Sequence, residues 1–251
     1  MAEKWNITLV IRRQKQGQEP YDQAFAMEAN PDENVIDLVE RVWAFHDSTL
    51  NYAHACHHST CGACGMRVNN IEKLTCITPV RSVVSDGGTL RVDPMRNFPV
   101  ISDLAVDMGE LYRRMELVGH QPVNSDRKEA IQKEFRPSAP TRPGEDFIRL
   151  SDCIECGLCM SACPIVGSTP DYLGPAPLAG AHQAGLKGNS HLVDLVGGTD
   201  GVWRCHSAYE CTAVCPSNVD PGWRIMELRR DLLGEKIKSW FGSSKTAEVR
   251  K

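Results

Sequence analysis

The sequence predicts an α+β chain in two halves, a small mixed sheet packed on one helix and then an all-helical half. Three observations carry this. Ile7, Leu9 and Ile11 alternate with outward positions in WNITLVIRR, and Tyr21, Phe25 and Met27 share one face of a second run, the two-residue period of half-buried strands. Val35, Leu38, Val39 and Val42 recur at helical spacing in NVIDLVERVWAF. Beyond Asp103 the alternation stops, and Leu104, Met108, Leu111, Met115 and Val118 predict an amphipathic helix, with mostly helical segments after it.

Each element has a local reason. Asn34 is placed to cap the first helix, with Asp37 three residues on. MRVNNIEKLTC reads as a hairpin turning at Asn69-Asn70, because asparagine tolerates the positive φ of such turns. TLRVDP supplies a further strand of the sheet. The boundary between halves falls near residue 105, giving a first domain over 1–105, a helical domain over 106–240 and a polar tail over 241–251 whose SSKTAEVRK should fray. RPSAPTRPGEDF is a proline-rich connector. GPAPLAGAHQAGLKG lacks both the G-x-G-x-x-G pattern and a preceding strand, so it reads as a loop and a glycine-tolerant helix rather than a nucleotide site.

Composition narrows the function. A net charge of -4 gives no basic footprint for nucleic acid. No apolar run approaches the roughly 18 residues of a membrane span, and MAEKWNITLV lacks the basic and apolar regions of a secretory signal. The expectation is a cytosolic or cytosol-facing protein. There, eleven cysteines bunched at short gaps point to metal ligation rather than disulfides.

The cysteines fall into three groups. Cys56-x₄-Cys61-x₂-Cys64, with Cys76 further on, has the plant-type spacing for a [2Fe–2S] cluster. Three ligands would come from one loop, where Gly62 and Gly65 let the backbone approach, and the fourth from a neighbouring hairpin. A zinc knuckle would instead pair two short Cys-x₂-Cys units. His54, His57 and His58 surround Cys56 and read as loop residues whose N–H groups tune the cluster, or as simply solvent-exposed.

The second group is Cys153-x₂-Cys156-x₂-Cys159-x₃-Cys163-Pro164 and the third Cys205-x₅-Cys211-x₃-Cys215-Pro216. In two-cluster ferredoxins the fourth cysteine of each run ligates the other cluster. Crossed in that way, Cys153, Cys156, Cys159 and Cys215 serve a [4Fe–4S] cluster, leaving Cys163, Cys205 and Cys211 for another. Ala208 stands where the third group lacks its middle cysteine, so those three thiolates fit a [3Fe–4S] cluster. The competing reading is a labile [4Fe–4S] cluster with water or His206 at the open corner. No paired carboxylates or nucleophile elbow stand out, which makes the chain a wire between cofactors held by partners.

The order of these groups, with DPMRNFPVISDLAVDM joining the halves and DPGWRIMELR after the last, resembles the iron–sulfur subunit of succinate dehydrogenase and fumarate reductase. The resemblance covers nearly the whole chain. It implies a β-grasp plant-type ferredoxin domain followed by a helical bacterial-type ferredoxin domain. It also implies electrons passing from a FAD-bearing flavoprotein subunit, which interconverts succinate and fumarate, through [2Fe–2S], [4Fe–4S] and [3Fe–4S] to a quinone. That quinone, menaquinone or ubiquinone, would lie at a haem b-containing membrane anchor, and the chain would sit peripherally on the cytoplasmic face of the cell membrane. His206 and Ser207 match the family near the third cluster, and Arg229 resembles a basic residue near the quinone or haem edge, although a solvated helix face explains Arg229 equally. The sequence departs from the family at Gly167 and Ser168, where an aromatic residue lining the quinone site is expected, and CHHSTC lacks a glycine common between its first two cysteines. Other readings are an electron carrier for a different flavin-dependent reductase, whose relatives carry extra Cys-Cys-Gly segments absent here, and a colourless zinc scaffold.

Overall fold

The computed structural model describes residues 4–15, 17–120 and 153–242, with 235–242 as backbone only. The connector RPSAPTRPGEDF and the tail SSKTAEVRK lie outside the described residues. The first half is a five-stranded sheet carrying one helix: β1 (Trp5–Arg13), β2 (Tyr21–Ala29), α1 (Val35–Phe45), β3 (Gly65–Val68), β4 (Ile71–Leu74) and β5 (Thr89–Asp93). The strand order is β2-β1-β5-β3-β4, with β1 and β5 parallel and the other neighbours antiparallel. Leu9 lies opposite both Phe25 and Leu90, and the face they share is sealed by Val35, Leu38, Val39 and Val42 of α1. This is the β-grasp arrangement.

Turn chemistry sets the register. The Asp37 carboxylate accepts the Asn34 backbone N–H at 2.9 Å at the start of α1. Asn69 and Asn70 have φ of 49° and 69°, the left-handed pair that a two-residue hairpin between β3 and β4 needs. The Asn69 side chain also accepts the Arg91 N–H and donates to the Val83 carbonyl, at 2.9 and 2.7 Å, which ties the turn to β5.

The helix expected from Leu104 starts later. A two-stranded hairpin, β6 (Val100–Ser102) and β7 (Ala105–Val106), intervenes, and α2 runs only over Gly109–Leu117. The apolar spacing misleads because its members serve different cores: Leu104 joins the first-half core, whereas Leu111 and Met115 pack against Met160 and Ala176. Between them the chain runs through β7, entered by a turn in which Asp103 has φ 51° and its side chain pairs with Arg13 of β1.

The second half is helical: α3 (Leu158–Ala162), α4 (Pro164–Ser168), α5 (Pro175–Ala184), α6 (Ser190–Gly197), α7 (Glu210–Ala213) and α8 (Pro221–Gly242). GPAPLAGAHQAG is indeed α5 with its entry loop. Leu178, Val196, Val202, Ile225 and Leu228 form its buried centre. Among the described residues no helix is long and apolar enough to cross a membrane.

The two halves lock through a polar seam. The buried Glu72 carboxylate accepts from Arg96 Nη2 and Ser161 Oγ, both at 2.9 Å. Asn97 Nδ2 donates to the carbonyls of Met160, Ser161 and Cys163 at 2.8–3.0 Å, satisfying the end of α3. A Cβ at Gly167 would sit 2.4 Å from Asn97 Oδ1, so this clamp occupies the space a larger residue at 167 would need.

Candidate metal centres

All eleven cysteines are free thiols, and the fold gathers them into three places. In the first, His57 (φ 58°), Ser59 (φ 56°) and Gly62 (φ 73°) turn the loop repeatedly into the left-handed region. Such a path points successive N–H groups inward, making a nest for negative charge. The N–H groups of His58, Thr60 and Cys61 lie 3.3–3.4 Å from Cys56 Sγ. Donation from His58 and Cys61 holds the Cys56 thiol down at about 6. Cys76, beyond β4, is pushed up to about 11 by burial, then by its contact with Cys64, and it also feels the charge of Cys56. The hairpin therefore brings the distant fourth cysteine to the loop. The rings of His54 and His57 point elsewhere, with Nε2 at 2.9 and 3.2 Å from the Glu40 carboxylate, and His58 addresses the sulfur through its backbone N–H.

The second and third places are cavities of about 400 and 360 Å³, each open in part to solvent. Cys153, Cys156, Cys159 and Cys215 line one. Cys163, Cys205 and Cys211 line the other, together with Ala208, His206 and Ser207. Their loops repeat one backbone. Two and four residues after Cys153 come Glu155 (φ 52°) and Gly157 (φ 77°), and two and four after Cys205 come Ser207 (φ 58°) and Tyr209 (φ 60°). Gly157 then opens α3 as Tyr209 opens α7. In this repeat Ala208 occupies the place of Cys156.

The donor sets fit iron–sulfur centres. Burial pushes Cys153 up to about 11 and Cys156 and Cys211 up to about 12, so these pockets oppose isolated thiolates and call for a positive core that neutralises them together. Backbone N–H groups supply the remaining compensation, as at Cys205, where the Ser207 N–H lies 3.4 Å from Sγ, and at Cys215, where that of Val219 does. Arg229 is no free solvated cation. Its guanidinium donates to the Val202 carbonyl at 2.7 and 3.0 Å and to that of Cys205, and lies 3.5 Å from Ser207 Oγ. It thus holds the loop that bears Cys205.

The first and second places nearly touch. A Cβ on Gly62 would fall 2.8 Å from Cys156 Cβ and 2.9 Å from the Ile154 carbonyl, and the φ of 73° already disfavours a side chain. Gly62→Ala should therefore destabilise the protein by about 1–3 kcal/mol through backbone strain and the clash. It should also displace the first loop from the second site. Denaturant midpoints, with the line shape of the first centre as a local probe, test this; an unperturbed variant would show that the two loops have slack. The sequence pattern marks neither this approach nor Tyr172, which also lines the third cavity.

Residues 8–113 match the 2Fe-2S iron-sulfur cluster binding domain family and residues 149–219 the 4Fe-4S dicluster domain family. The fumarate reductase iron-sulfur subunit of Haemophilus influenzae is 32% identical over 232 residues, covering 88% of this chain and 90% of the relative. The chain belongs to the succinate dehydrogenase and fumarate reductase iron–sulfur subunit family. Within that family, the Mycobacterium tuberculosis fumarate reductase subunit is 34% identical over 84% of the chain and 85% of its own length, and the Bacillus subtilis succinate dehydrogenase subunit 27% identical over 98% and 100%. A chain of the Mycobacterium smegmatis Sdh1 complex has the same fold, with a TM-score of 0.75 at 22% identity over 94% of this chain and 98% of that one. The α+β organisation, a ferredoxin-like sheet domain and then a helical cluster-binding domain, is thus that of the family's iron–sulfur subunits.

Proposed function

We propose that this subunit carries electrons between a FAD-bearing dicarboxylate-oxidising flavoprotein and a membrane quinone, using a [2Fe–2S], a [4Fe–4S] and a [3Fe–4S] cluster. Each cluster, when bound, accepts and releases one electron. Cys56, Cys61, Cys64 and Cys76 would hold the first, Cys153, Cys156, Cys159 and Cys215 the second, and Cys163, Cys205 and Cys211 the third. The observation that carries this reading is the sorting of seven cysteines into one cavity with four thiols and another with three, Ala208 standing in the latter at the position equivalent to Cys156.

The residues have distinct tasks. Inward N–H groups of the left-handed loops stabilise sulfur charge, the seam of Glu72, Arg96, Asn97 and Ser161 fixes the spacing between halves, and Arg229 anchors the Cys205 loop. His206 and Ser207, exposed at the mouth of the third cavity, would face a quinone, and the exposed ring of Tyr209, which lines the same cavity, would meet a haem b-containing membrane anchor. The first loop would face the flavoprotein, and the chain would lie peripherally on the cytoplasmic face of the cell membrane, with menaquinone or ubiquinone as acceptor. The domain division at about residue 105, with a helical domain over 106–240, belongs to the same proposal. Names of relatives at 32–34% identity favour fumarate reduction as a second reading, the same relay run in reverse.

Low-temperature EPR tests the assignment. Oxidised [3Fe–4S] is paramagnetic, whereas oxidised [2Fe–2S] and [4Fe–4S] are silent. The oxidised protein should give a narrow signal that dithionite removes, and Ala208→Cys should abolish it by admitting a fourth iron, lowering the potential of that centre and slowing quinone reduction. A silent oxidised sample with full iron content, or an A208C variant with an unchanged signal and turnover, would sink the three-iron assignment.

A further inference from the structure

Tyr172, between α4 and α5, is fully buried, and its hydroxyl has no hydrogen-bond partner of good geometry among the described residues. A buried hydroxyl left unpaired forfeits its hydration with nothing in return, so such a group in a native core calls for a partner. Its surroundings identify one. Tyr172 lines the third cavity, and its electrostatic neighbours there are the three thiols of Cys205, Cys163 and Cys211, Cys205 being near enough to interact through its side chain. The residue is also rigidly held. Arg114 Nη1 donates to its carbonyl at 2.5 Å, its own N–H donates to the Thr169 carbonyl at 3.1 Å, and the next N–H, of Leu173, donates to that of Asp200 at 2.9 Å.

We propose that the Tyr172 hydroxyl donates a hydrogen bond to the sulfur at Cys205, and that it is a positioning residue that raises the reduction potential of the third centre. This rests on the reading of that cavity as a cluster site. The physics is directional: reduction adds negative charge to the sulfurs, so a fixed O–H donor stabilises the reduced form more than the oxidised one. Tyr172 is the only cavity-lining side chain besides the ligands that is both polar and fully buried among the described residues, which makes its donor the one that solvent cannot replace.

Tyr172→Phe keeps the ring and removes only the oxygen. In the intact complex, an EPR-monitored redox titration should show the third midpoint moved to lower potential while the other two stay in place. Pulsed ENDOR should show the loss of one exchangeable proton coupled to the third centre, a change that lost packing would not produce. A variant with full third-centre signal, unchanged midpoint and unchanged proton couplings overturns the role of Tyr172. Wild-type protein with no third signal overturns the cluster reading itself, and with it this proposal.

Discussion

Cys215→Ser should cost the second cavity its four-iron cluster and leave the third centre in place, although Cys215 belongs to the third group in sequence. Its expected effect on function is the largest of any single substitution named for this chain. Its thiol shares a cavity with Cys153, Cys156 and Cys159, and the loss of one of four ligands leaves one of the four irons without its thiolate. The reduced [4Fe–4S] signal should disappear while the oxidised three-iron signal persists, and turnover from succinate to quinone should be abolished because the middle of the relay is missing. Cys163→Ser should do the opposite, since Cys163 lines the third cavity with Cys205 and Cys211. EPR of the two variants side by side reads out the crossing. If C215S instead removed the three-iron signal and kept the four-iron one, each run would serve its own cluster.

The cysteine pattern is legible in sequence because ligand spacing is a local property of the backbone. A residue in the left-handed region at two and at four positions after the leading cysteine swings the loop around its cargo, and Glu155, Gly157, Ser207 and Tyr209 do this in both runs. The strands, α1 and the Asn69-Asn70 hairpin are legible for the same reason, since period and turn chemistry are short-range. What depends on long-range contact was not legible. Leu104 and Leu111 continue one helical stripe on paper, yet the chain between them runs through β7, and the turn that leads into β7 is held at Asp103 by Arg13, ninety residues earlier. A lone tyrosine in PDYLGP carries no pattern, and only burial without a partner marks it. At Gly167, likewise, what a larger side chain would meet is Asn97, seventy positions away.

Asp103→Ala should have the largest effect on stability, about 3–5 kcal/mol, because it removes the fully buried counter-charge of a fully buried cation. Asp103 and Arg13 are both fully buried. The carboxylate meets Arg13 Nε at 3.1 Å and Lys15 Nζ at 2.5 Å, and accepts the N–H groups of Gln14 and Asn51 at 3.1 and 2.9 Å. Asp47 pairs with the same guanidinium at 2.7 Å, so two anions balance two cations. Without Asp103 the turn into β7 loses its hold on β1, and a loss of that size is a large part of the roughly 5–15 kcal/mol that holds a domain together. The pH dependence has a definite sign. Burial alone would raise the Asp103 carboxyl, but Lys15, Arg13 and the two N–H groups outweigh it and the folded value is lowered. Asp47 is lowered as well, first by the Thr49 hydroxyl and then by Arg13. Groups depressed in the folded state stabilise it above their unfolded pKa of about 3.9 and lose that contribution as pH falls through the folded value. The wild type should therefore weaken steeply below about pH 4, and Asp103→Asn, already destabilised at neutral pH, should show a shallower acid limb. Denaturant midpoints measured from neutral to acid pH on the cluster-loaded protein decide this. Equal slopes for wild type and D103N would mean that the buried carboxylate is not the group being titrated.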